Sequence, residues 1–99
     1  GLDVTDKIEQ WAIDRGLHNA DPSKQMLKLM EEVGELAEGL AKDKPDAIQD
    51  AIGDAYVVLT ILSMQLDMDI RHCVKMAYDE IKDRKGRMVN GVFVKESDL

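Results

Sequence analysis

Apolar residues recur every three or four positions through most of this chain, and capping signals separate the runs. Ile8, Trp11 and Ala12 form a short stripe that Asp3 or Thr5 can cap and Gly16 can end, so the pattern predicts a first helix over Thr5–Arg15. Asp21-Pro22 places an N-cap acceptor before a proline whose φ already suits a helix. A second helix is predicted from Pro22 to about Ala41, with Met26, Leu29, Met30, Val33, Leu36, Ala37 and Leu40 as its stripe. Asp43-Lys44-Pro45-Asp46 breaks the chain again. The third helix should run from Pro45 to about Leu66, amphipathic at first and then apolar almost all round from Ala55 to Leu62, as a central helix would be. Asp67 or Asp69 can cap a fourth helix reaching about Arg84, with Ile70, Val74, Ala77, Tyr78 and Ile81 inward.

The period changes in the tail. Arg87-Met88-Val89 and Val92-Phe93-Val94 flank Asn90-Gly91, the pair that a type I′ turn favours because both of its central residues need positive φ. A small hairpin or extended arm is expected, packed on the helices or on a partner subunit. The fold class is therefore all-α: a four-helix bundle-like subunit with a short C-terminal β-hairpin. Its 99 residues make one domain, with a helical core over about 5–85 and a tail over 86–99.

Composition agrees. Aromatic residues are only 4% of the chain, and Met, Leu, Ile, Val and Ala supply the apolar set, which favours helix packing over a sandwich. A net charge of −7 argues against a nucleic acid polymer or an anionic membrane as partner. The single cysteine, Cys73, reads as a small buried hydrophobe and is compatible with a reducing, cytoplasmic setting. No signal peptide pattern is present, and the run Ala55–Leu62 is too short to cross a membrane. Gly1 in place of Met suggests a trimmed or tagged start.

The candidate chemistry lies in two acidic clusters, Glu31-Glu32-Val33-Gly34-Glu35 and Asp50-Ala51-Ile52-Gly53-Asp54. Acids three or four residues apart share a helix face. Glu32 has Leu29 and Leu36 on its own stripe, and Asp54 leads into Val57 and Ile61. Both therefore point toward the interior, where unpaired charge is costly and a polyvalent cation relieves it. Gly34 and Gly53 are expected to let backbones or a ligand come close. The plainer alternative, acids favouring a helix N-terminus, fits Asp46 and Asp50 but not the mid-helix glutamates. Four carboxylates on two helices suit Mg²⁺, or Mn²⁺, against a polyphosphate.

Lys28-x-x-Glu31-Glu32-x-Gly34-Glu35-Leu36, the acidic Gly-Asp helix, and Lys75-Met76-x-x-Asp79-x-x-Lys82 together resemble the MazG-like all-α nucleotide pyrophosphohydrolases over roughly Met26–Lys85. The resemblance implies Mg²⁺-dependent hydrolysis of nucleoside triphosphates to monophosphate and pyrophosphate, by a homodimer or homotetramer. It implies Glu32, Glu35 and Asp54 as metal ligands and Glu31 as the group that orients or deprotonates the attacking water. Two positions depart from the family pattern. Ala51 stands where a glutamate is usual, leaving Asp50 to substitute as a ligand directly or through water, and Asp79 stands where asparagine is common.

Lys75, Asp79 and Lys82 share one face of the fourth helix and, through the resemblance, are read as substrate-binding. Lys28, one turn before Glu32, is a phosphate contact or an ordinary solvated lysine. Trp11 can stack on a base, although its spacing from Ile8 also fits core. His18 faces a nucleotide or solvent. A non-catalytic nucleotide-binding or assembly module derived from such an enzyme is the alternative function.

Overall fold

The computed structural model describes residues 3–99; the expectation attached to Gly1 lies outside them. Four helices, α1 (Val4–Asp14), α2 (Pro22–Ala41), α3 (Pro45–Gln65) and α4 (Ile70–Ile81), precede a hairpin of β1 (Gly86–Val89) and β2 (Val92–Lys95). Single 3₁₀ turns lie at Leu17–Asn19 and Glu96–Asp98. The all-α class and the terminal hairpin agree with the sequence reading.

The local signals act as their chemistry requires. Asp3 and Asp6 close a reciprocal capping box at α1, Asp3 Oδ1 accepting from the Asp6 amide at 2.9 Å. Asp21 Oδ1 accepts from the Ser23 amide at the start of α2, and Asp69, rather than Asp67, caps α4. Asp67 instead takes positive φ after α3. Helix α4 ends at Ile81, about three residues before the expected Arg84. Asn90 and Gly91, at φ 51° and 82°, make the tight turn of the hairpin and set the pairs Met88 with Phe93 and Val89 with Val92.

Packing centres on α3. It lies along α2, and α1 and the Leu17–Asn19 turn rest on it. Ala12, Ala51, Val58, Ile61 and Ile70 are buried, together with Gln25, Thr60 and Ser63. Thr60 and Ser63 bond back to the carbonyls of Tyr56 and Leu59 at 2.8 Å, so their hydroxyls are satisfied inside the helix itself. Helices α2 and α3 pack tightly at Gly39, where a Cβ would stand 3.0 Å from Ile48 Cγ1.

Three expectations are corrected. On α2 the packed face carries Gln25, Leu29, Glu32, Leu36 and Gly39, while Met26, Met30, Val33 and Leu40 are exposed. On α4 only Ile70 is buried; Cys73 is half-buried, and Val74, Ala77, Tyr78 and Ile81 are exposed, because the helix leaves α3 after its first turn. On α3, Ile52, Tyr56 and Leu59 remain exposed as a stripe, so one chain does not surround this helix. The radius of gyration, 16.4 Å, exceeds the roughly 13 Å of a compact chain this long. The hairpin packs on the Glu96–Asp98 turn.

Arg71 fastens the start of α4 to α1. Its guanidinium pairs with Asp6, with Glu9 Oε1 at 3.0 Å, and with Asp69 Oδ1 at 3.1 Å.

Candidate metal centre

Antiparallel packing of α2 on α3 brings Glu32 and Glu35, one turn apart on α2, against Asp54 of α3. Each offers one carboxylate oxygen, and these three atoms all lie within 4.8 Å of one another. A divalent cation with metal–oxygen distances of about 2.0–2.6 Å can be shared by oxygens so spaced.

The electrostatics of the three acids favour a cation among them. Burial pushes the Glu32 carboxyl above its ordinary range, and the charges of Glu35 and Asp54 push it further. Burial also raises Asp54, followed by the charge of Asp50 and a shared hydrogen bond with it. Glu32 Oε2 is buried and has no hydrogen-bond partner. A buried acceptor without a donor is costly. Hard oxygen donors, one of them orphaned, fit Mg²⁺ or Mn²⁺.

The other candidate residues take definite places. Asp50 is exposed, beside Asp54 and outside the triplet; the two line an open hollow of about 400 Å³ with Asp46, Gln49 and Gly53. Ala51 is buried, so α3 presents no second carboxylate at that position. Glu31 is exposed and outside the triplet, next to Glu32 and four residues before Glu35 in sequence. Gly34 and Gly53 do not bring backbones together: a Cβ at either would meet nothing within 4 Å. The room there is open to a ligand or a partner.

Lys75, Asp79 and Lys82 are not gathered to the triplet. Lys75 Nζ lies 2.7 Å and Lys82 Nζ 3.4 Å from Asp79, all three on the exposed part of α4. Lys28 is exposed and makes no ion pair among the described residues. Trp11 is half-exposed, with the Arg15 guanidinium stacked 4.1 Å from its ring centroid. His18 is half-buried; Nε2 lies 3.2 Å from Asn19 Nδ2, and Nδ1 is buried without a partner.

Two residues along the α2–α3 groove give no signal in the sequence. Lys44 lines a hollow of about 210 Å³ with Glu35, Glu38 and Asp50. In the sequence it stands in the loop before Pro45, outside any periodic pattern. Gln25, seven residues before Glu32, is on the same α2 stripe, but a polar residue there gave no periodic signal.

Residues 20–89 match the family model described as the MazG nucleotide pyrophosphohydrolase domain. The chain belongs to the MazG family. The match covers the acidic triplet and α4, whereas Trp11 and the rest of α1 precede it. MazG proteins act on nucleotides and generally depend on a divalent metal, which agrees with the donor set found here. A relative from Haemophilus phage HP1 (strain HP1c1), named "Uncharacterized 18.2 kDa protein in rep-hol intergenic region", is 57% identical over 63 residues. That stretch is 63% of this chain and 39% of the phage protein, so the chain spans well under half of that relative. No solved structure matches.

Proposed function

We propose that this MazG chain hydrolyses nucleoside triphosphates, deoxynucleotides or aberrant nucleotides among them, to the monophosphate and pyrophosphate with Mg²⁺ or Mn²⁺. The observation that carries the reading is the triplet of Glu32, Glu35 and Asp54, with an orphaned buried oxygen and raised acids, in a MazG domain. Those three residues would hold the cation, with Asp50 reaching it through water. Bound there, a divalent cation supplies neutralisation of phosphate oxygens and a more acidic water. Glu31 accepts the proton of the water that attacks the α-phosphorus. The bond between that phosphorus and the bridging oxygen breaks, and pyrophosphate leaves with the electron pair.

Exposed apolar residues along α2, α3 and α4 support a homodimer or homotetramer. Lys75 and Lys82 belong to this reading as phosphate contacts only across a subunit boundary, since each is tied to Asp79 on an exposed helix in its own chain. A cytoplasmic location suits the free thiol of Cys73. Purified protein with Mg²⁺ should release pyrophosphate from members of a nucleotide panel. Absence of release from all of them overturns the reading.

A second reading is a non-catalytic nucleotide-binding or assembly module. Buried Ala51 and the self-paired α4 lysines favour it. Calorimetry separates the two: tight nucleotide binding without turnover supports the module.

A further inference from the structure

We infer that the hollow lined by Trp11, Gln25, Lys28 and Val57 seats the nucleobase of the substrate, and that Gln25 reads its edge, favouring bases with an exocyclic amine. The inference rests on the proposed activity at the triplet. It starts from position along one groove. Lys28 and Gln25 precede Glu32 by four and seven residues on α2; Val57, Val58 and Ile61 follow Asp54 by three, four and seven on antiparallel α3. The hollow therefore begins one helical turn, about 5.4 Å, from the carboxylates on both walls, on the side away from the Lys42–Lys44 loop. A sugar and its first phosphate span a gap of that order.

Size and lining agree. The hollow holds about 290 Å³, roughly ten water volumes, which is room for a base and not for a whole nucleoside triphosphate. Valine and isoleucine side chains make its walls, and Trp11 adds an aromatic face, held by Arg15. Stacking on an indole suits any base. Lys28, without an ion pair among the described residues, stands between this hollow and the triplet, where a phosphate would lie.

Gln25 supplies discrimination. It is 7% exposed in a lining that is apolar apart from Lys28, and among the described residues its side chain makes one hydrogen bond, a long one of 3.4 Å from Nε2 to the Val58 carbonyl. The Val58 carbonyl takes one Nε2 proton and so sets which way round the amide lies, and Oε1 is left as an acceptor for a donor such as the amine of cytosine or adenine. Cytosine and uracil are matched in size, so the pair isolates this contact.

The single tryptophan makes the full chain its own probe. With Mg²⁺ present, a cytidine nucleotide should quench Trp11 fluorescence, whereas inorganic triphosphate should not. Wild-type protein should favour cytidine over uridine nucleotides by roughly 10- to 100-fold in kcat/KM, and Gln25→Leu should bring that ratio close to one while Mg²⁺ still raises the Tm. Equal quenching by nucleotide and inorganic triphosphate, no quenching, or an unchanged ratio in Gln25→Leu overturns the base seat. Hydrolysis that persists through any of those results leaves the activity standing without it. Nucleotide-specific quenching with no pyrophosphate released keeps the seat and removes the hydrolase. The fluorescence arm needs no substitution, so it decides even if Gln25→Leu fails to fold.

Discussion

The groove between α2 and α3 and the outer part of α4 are both rich in charge, and they treat it in opposite ways. In the groove three carboxylates converge, Glu32 keeps a buried oxygen without a donor, and the surrounding charges raise the acids further. On α4, Lys75 and Lys82 flank Asp79 and neutralise it on an exposed surface. Packing explains the contrast. Glu32 and Asp54 lie on faces that the helix pair must bury, so their charge is held where water helps little. The α4 groups can rotate into solvent, and their pairing is worth little to stability. Unbalanced charge on packed helices is the better mark of a ligand site than charge density alone.

The sharpest way to break the comparison is Glu32→Ala. Pyrophosphate release should fall to background and Mg²⁺ should no longer raise the Tm, while the metal-free variant melts no lower than the metal-free wild type. Retained turnover would remove the triplet from the mechanism. Glu31→Gln comes next: kcat should drop by about 100-fold, the usual scale for a lost general base, with the Mg²⁺-dependent Tm shift intact. Loss of both together would make Glu31 a ligand and not a base.

Lys82→Ala tests the other region. Loss of a charge-assisted contact should raise KM about tenfold at unchanged kcat if the helix serves a neighbouring copy. An unchanged KM returns α4 to solvated surface and sharpens the contrast.

The smallest effect is on pH. Glu32 and Asp54 have raised pKa values in the folded chain, so between the unfolded and folded values the native state binds more protons and stability falls as pH rises. Metal-free protein should therefore gain Tm as pH falls through the raised values of these two groups toward the ordinary carboxylate range. At lower pH the trend reverses, because Asp3 and Asp69, held below their ordinary range by backbone hydrogen bonds first, lose that stabilisation. Saturating Mg²⁺ should invert the slope near neutrality, since its ligands must be deprotonated. A Tm that is flat over this range in both conditions contradicts the electrostatic account.

Much of this was legible in the sequence because local chemistry decides it. Asp21-Pro22, Lys44-Pro45 and Asn90-Gly91 impose their breaks whatever surrounds them. The inward bias of Glu32 and Asp54 followed from their stripes, and the structure joins them to Glu35. What periodicity did not reveal is which of two apolar stripes is covered by the same chain. Helix α2 carries both; Leu29 and Leu36 pack at home, whereas Met26, Met30 and Val33 do not. The same limit applies to Val74 and Tyr78 on α4. Gln25 was hidden for a different reason, since a lone buried amide breaks the pattern that reveals a buried face.

Arg71 has a mechanical consequence. Helix α4 rises about 15 Å beyond the point where this one guanidinium grips Asp6 and Glu9, and the hairpin hangs from its far end. The arrangement is a lever with a rivet at its fulcrum. A rotation of about 10° at the rivet sweeps the tip of the helix by roughly 3 Å. Ion pairs at partly exposed joints weaken as salt screens them. Raising the ionic strength should therefore loosen the tail before it disturbs the carboxylates, an order that amide hydrogen exchange along the chain would show.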